Sequence, residues 1–159
     1  MFTASFQMNA QFQQLKDSLY KRWWSETILF DVLSISPTEW EAIRDNPSDY
    51  FNRYIQRFPL LVTYEAITEI PTKKHIWKEK SEEEAKRSLN RMITICLAYE
   101  SNHFPEAEAK QLIDDVICQF SPSVRYFRSF YDLTESIFEE QLVIVDEEKL
   151  LFVLRMEDD

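Results

Sequence analysis

The chain of 159 residues contains no glycine. At a usual frequency near 7%, chance absence over such a length has odds on the order of one in 100,000. Glycine is the default residue for positive φ, for tight turns and for backbone that closes on a ligand. A chain without it should be mostly helix, with turns built from Asn, Asp, Ser and Pro. It also cannot carry a P-loop, a dinucleotide-binding fingerprint or a glycine-flanked nucleophile elbow. Whole enzyme classes fall away on that count.

Helical periodicity is clearest from Ser81 to Glu100. Ser81 and Glu84 form a capping box, each side chain satisfying a free N–H at the helix start. Ala85, Leu89, Met92, Ile93, Cys96 and Leu97 then recur at spacings of three and four, opposite Lys86, Arg87, Asn90 and Arg91. Pro105 opens a second such stripe through Ala109, Leu112, Ile113, Val116, Ile117 and Phe120. Ser121-Pro122 ends it and caps a third, with Val124, Phe127, Phe130, Tyr131, Thr134, Ile137 and Phe138 on its buried side. Short turns between the three predict antiparallel neighbours.

Upstream, a helix from Asn9 runs through Phe12, Leu15, Leu19 and Trp23, and its stripe can be followed to Ile28 and Leu33. Ser36-Pro37 with Glu39 starts a short helix ending near Asp45. Asn46-Pro47 restarts the chain with an aromatic stripe of Tyr50, Phe51, Tyr54, Ile55 and Phe58. Pro59 interrupts it; beyond, a kinked helix is preferred and a strand over 60–64 is the alternative. Residues 71–80 read as a basic loop around Ile76 and Trp77.

The end of the chain changes character. Two β-rich runs, 142–145 and 150–154, flank Asp146-Glu147-Glu148-Lys149 and read as a hairpin over 141–155, apolar on both faces. The expected fold is therefore mainly α (α+β). It is one domain over 1–159, a compact bundle of five to seven helices with the C-terminal hairpin packed on it. Leu89, Ile93, Leu97, Ile113, Val116, Ile117, Phe120, Phe127 and Ile137 are the expected core.

Candidate chemistry is thin. Glu100 and His103 have the spacing of a metal-binding Glu-x-x-His pair, but the only other histidine, His75, has no glutamate at that offset. Cys96 and Cys118 fall on apolar stripes, where thiols are inert and buried rather than catalytic. Neighbouring carboxylates such as Asp114/Asp115 and Glu139/Glu140 diverge around a helix. Lys73, Lys74, Lys78 and Lys80 around Trp77 have the basic-aromatic look of a single-strand nucleic-acid surface, diluted by Glu79, Glu82, Glu83 and Glu84. The chain is read as a non-enzyme without cofactor or metal.

Charge is segregated within a formal total of −10. Residues 73–91 hold seven bases and four acids, +3, whereas residues 132–159 hold ten acids against Lys149 and Arg155, −8. Such polarity disfavours direct nucleic-acid contact and favours a partner protein with a basic surface. No basic-plus-apolar leader stands at residues 1–10 and no apolar run nears the ~18 residues of a membrane helix, which predicts a cytoplasmic chain. The functional expectation is a protein-binding module, such as an inhibitor, immunity-type protein or dedicated chaperone. Its expected contact residues are Trp23, Trp24, Trp77, Tyr131, Phe152, Glu157, Asp158 and Asp159. A homodimer through the hairpin is a further expectation. The alternatives are an acidic DNA mimic, and a small enzyme or metal protein using Glu100 and His103.

Overall fold

A computed structural model describes residues 8–23, 27–58, 76–97, 104–134 and 136–158. In chain order the elements are α1 (Ala10–Arg22), β1 (Thr27–Ser34), α2 (Pro37–Asp45), α3 (Pro47–Ile55) and β2 (Trp77–Lys80). They continue with α4 (Glu82–Thr94), α5 (Glu106–Ile117), β3 (Arg125–Ser129), β4 (Phe138–Val145) and β5 (Lys149–Glu157). The strands form one antiparallel sheet in the order β1-β5-β4-β3-β2.

A bundle carrying a peripheral hairpin is thus the wrong architecture. The hairpin exists, with Leu142 opposite Val153, but it occupies the middle of a sheet with helices on both faces. One face, including Tyr126, Leu142, Ile144, Leu151 and Val153, packs with α1, α4 and α5 through Phe12, Leu15, Leu89, Ile93, Ile113 and Val116. The other, including Phe127, Val143, Val145, Phe152 and Leu154, packs with α2 and α3 through Ile43, Tyr50, Phe51, Tyr54 and Ile55. Every residue of β5 is buried, which explains its unbroken apolar run.

Three other expectations change for the same reason. The helix expected after Pro122 is instead β3 and a connection, because Tyr126 and Phe127 face opposite cores. A helix would set those neighbours about 100° apart; a strand sends them to opposite sides. The stripe followed from Trp23 toward Leu33 is broken by β1, where Ile28 and Val32 face one core and Leu33 the other. The basic loop ends in β2, paired to β3 from Trp77–Ser129 to Lys80–Tyr126. The expected core holds except at Ile137, which is 67% exposed in the β3–β4 connection, and Ile117, which is only partly buried.

Local signals behave as expected. Ser36 and Glu39 close a capping box on α2, as do Ser81 and Glu84 on α4, although α4 stops at Thr94 rather than Glu100. Asn46 caps α3 through Asp49 N–H at 3.1 Å. The hairpin turns without glycine because Asp146 Oδ1 accepts from the N–H groups of Glu148 and Lys149, each at 2.9 Å.

Candidate protein-binding surfaces

The densest polar cluster lies beneath the end of α4, and it serves the fold. Arg155 is fully buried, and its guanidinium donates to the carbonyls of Met92 at 2.8 Å and Ile95 at 2.7 Å. Those groups belong to a helix end, where carbonyls lack intrahelical partners and a cation is favoured. The same guanidinium stacks 3.8 Å from the Trp23 ring centroid and bonds Glu157 at 3.2 Å. Glu157 in turn accepts from Leu97 N–H and Cys96 Sγ, both at 2.9 Å. Nearby, Glu140 accepts from Ser88 and faces Arg91 at 3.3 Å and Arg128 at 3.5 Å.

Four of the expected contact residues are therefore internal. Trp23 donates its indole N–H to the Ile93 carbonyl at 3.1 Å, and Glu157 is 3% exposed. Trp77 is buried against Phe51, with its indole N–H on Asn52 Oδ1 at 3.2 Å. Phe152 is buried beside Tyr54 and Phe58. Each aromatic finds a partner in a distant element, so a tryptophan that sequence geometry offered as a surface anchor became a core residue. Asp158 is exposed and accepts from Ile137 N–H at 3.2 Å. Trp24, Asp159, His75, Glu100 and His103 lie outside the described residues. Cys96 is half-buried and Cys118 exposed, both free thiols, which corrects the expectation of two buried cysteines.

Tyr131 is the expected aromatic that does reach solvent, and it has company. Phe130 is 64% exposed, Ile137 67%, Ile76 49% and Tyr131 itself 43%. Ile76, Phe130 and Tyr131 share one corner of the sheet, and Ile137 stands at the far end of the same β3–β4 connection, its N–H on Asp158 Oδ1. Phe130 N–H donates to the Ile76 carbonyl at 2.6 Å, and the Phe130 and Tyr131 rings meet edge to face at 5.0 Å. Lys78 Nζ lies 5.9 Å from the Phe130 ring centroid. The sequence places Phe130 and Ile137 on a buried helix face; the structure puts both in the exposed connection that follows β3.

Glu139 braces that corner. It accepts from Leu133 N–H at 2.8 Å, and from Thr134 N–H at 3.0 Å and Oγ1 at 2.8 Å. Burial nevertheless pushes its carboxyl above the usual glutamate value, outweighing the bonds that favour the charged form.

The sheet has two edges, and they differ. Ile35 N–H bonds the Glu148 carbonyl at 2.8 Å, which sets the alternation along β1. Leu29, Asp31 and Leu33 therefore exchange bonds with β5, while Ile28, Phe30 and Val32 turn their N–H and C=O groups outward. The Ile28 carbonyl accepts from the Tyr20 hydroxyl at 3.3 Å. The outward groups of Phe30 and Val32 meet no donor or acceptor among the described residues. Asp31 is the single charged residue of β1; Tyr54 donates to it and Arg57 stands 3.5 Å away.

Neither hairpin strand is an edge strand, since β5 lies between β1 and β4, and β4 between β5 and β3. A homodimer through the hairpin would have to pair through interior strands of the sheet. Among the described residues no group of three His, Cys, Asp or Glu side chains could hold a metal, and no helix is long and apolar enough to cross a membrane. A groove of about 490 Å³ between α4 and α5 has its charges cross-paired, Lys86 bridging Glu82 at 3.4 Å and Asp114 at 3.2 Å. The chain matches no protein family, no curated protein and no solved structure.

Proposed function

We propose that the chain is a non-enzymatic protein-binding module that engages its partner through the Ile76, Phe130, Tyr131 and Ile137 corner. The supporting observation is that three of the five large apolar side chains exposed among the described residues, Ile76, Phe130 and Tyr131, meet there, with a fourth, Ile137, in the connection that follows. Scattered exposed apolar residues are ordinary; a contiguous aromatic patch with a charged rim is the composition of an interface centre. Asp132 and Asp158 on the rim suit a basic partner surface, with Lys78 and Arg128 restricting its orientation. An inhibitor, immunity-type protein or dedicated chaperone would use such a corner.

The internal placement of Glu157 removes one charge from the acidic end that a nucleic-acid mimic would display, so the aromatic reading is preferred. A photo-crosslinking side chain at Tyr131 should trap a partner in native cells, and one at Lys110 on α5 should not. The double variant Phe130→Ser/Ile137→Ser should abolish capture while leaving the urea midpoint unchanged. Capture that survives the double variant, or that weakens chiefly with salt, would count against the corner.

A further inference from the structure

We propose that β1 is a self-pairing edge: two copies of the chain join β1 to β1, antiparallel, across a two-fold axis at Asp31. The product is a continuous sheet of ten strands, five from each copy. β1 lies at the opposite edge of the sheet from the Ile76, Phe130 and Tyr131 corner.

The open window on β1 has the shape this pairing requires. The unpartnered outward groups belong to Phe30 and Val32, one residue to either side of Asp31. Under a two-fold through Asp31, Phe30 of each copy meets Val32 of the other. Each such pair exchanges two N–H···O bonds, so four bonds form and the four outward donors and four outward acceptors are satisfied together. The window is bounded on one side, because the Ile28 carbonyl already accepts from the Tyr20 hydroxyl. A long foreign strand running past Ile28 would meet Tyr20; a symmetric pair centred on Asp31 forms its four bonds without that carbonyl.

Charge is the evident objection, since the two Asp31 residues would sit opposite one another. Like charges in that position are destabilising. Here each carboxylate already accepts from Tyr54 and has Arg57 at 3.5 Å, with the Arg57 side chain only 32% exposed. Bringing two copies together assembles two carboxylates and two guanidiniums, a neutral cluster at the axis. Half-buried Leu29 and Phe30 flank the axis on opposite faces of the sheet and supply the apolar contact that four hydrogen bonds alone would lack. No lysine or proline, the usual protections of a free edge, occurs in β1.

Sedimentation velocity over a concentration series tests this directly. The wild-type chain should rise from 19.1 kDa toward twice that mass. Val32→Pro should remain monomeric, at least about tenfold weaker in association, because proline removes an outward N–H that β5 does not use. Hydrogen exchange on the wild-type chain is the independent measurement should that variant not fold. The Phe30 and Val32 amides should be protected at high concentration and exchange freely at low concentration. A wild-type chain monomeric throughout the series, a folded Val32→Pro that still dimerises, or a dimer whose Phe30 and Val32 amides remain unprotected would each overturn the proposal. The first result would leave β1 to a foreign strand.

Discussion

The two edges of the sheet are made from opposite materials. β2 is four residues long, Trp77-Lys78-Glu79-Lys80, with Trp77 sunk into the core and both lysines toward solvent. Its outward Trp77 N–H is taken by Ser48 Oγ at 3.0 Å, so α3 closes the strand. β1 is eight residues long, holds one charge, and leaves the outward backbone groups of Phe30 and Val32 without a partner among the described residues. A short lysine-bearing strand with a capped donor resists edge-to-edge pairing; a long apolar strand without them invites it. One chain contains both solutions: β2 is short, lysine-bearing and capped at an outward donor, whereas the cap on β1 stops at the Ile28 carbonyl.

The two edges are anchored by different residues, and their removal should separate them. Trp77→Ala should cost about 3–5 kcal/mol in urea unfolding, because the indole fills a buried site against Phe51 and bonds Asn52. Phe30→Ala, at a half-buried position held by the β5 ladder, should cost about 1 kcal/mol or less. Equal losses would mean that the edges are anchored alike.

Proline placement separates the two faces of a single edge. Ile76 and Phe130 form a bonded pair, so Lys78 N–H is committed to β3 while Glu79 N–H faces outward. Lys78→Pro should lose about 1–3 kcal/mol, the cost of stranding a buried acceptor, and Glu79→Pro distinctly less. The order of their thermal midpoints checks the register. A smaller effect belongs to Ser48→Ala, which uncaps the outward donor of Trp77 and should cost about 1 kcal/mol. Amide exchange at Trp77 should quicken in that variant while Phe30 in dilute protein stays as it was.

The smallest effect is a pH dependence at the β2-side corner. Burial holds the Glu139 carboxyl above its ordinary value of 4.5 in the folded chain. Between the ordinary and the raised value the folded chain keeps a proton that the unfolded chain has released. Stability from this group is therefore full below pH 4.5 and declines as pH rises through the raised value. Melting curves collected upward from that pH should show a decline that Glu139→Gln lacks; identical slopes in the two proteins would exclude it.

What the sequence determined is what lies within a few residues of itself. Ser36 reaches Glu39 N–H at 3.1 Å, Ser81 reaches Glu84 N–H at 3.1 Å, and Asp146 turns the hairpin from within it. Such signals survive without glycine because Asn, Asp and Ser side chains make the turn themselves. Helix starts, the apolar stripes of α4 and α5 and the terminal hairpin were legible for that reason.

Tertiary structure alone decided where the hairpin went and which aromatics saw solvent. A strand buried on both faces loses its alternation, so β3 read as helix and β5 gave no sign of its central place. Its neighbour β1 lies at the far end of the chain, and no local pattern announces the match of Ile28 to Arg155. Trp23 became internal because Arg155 arrives on that strand and stacks on it; Phe130 and Ile137 became external because the chain there is a connection rather than a helix. Burial belongs to pairs of segments, and the second member of each pair stands too far along the chain for spacing to reveal it.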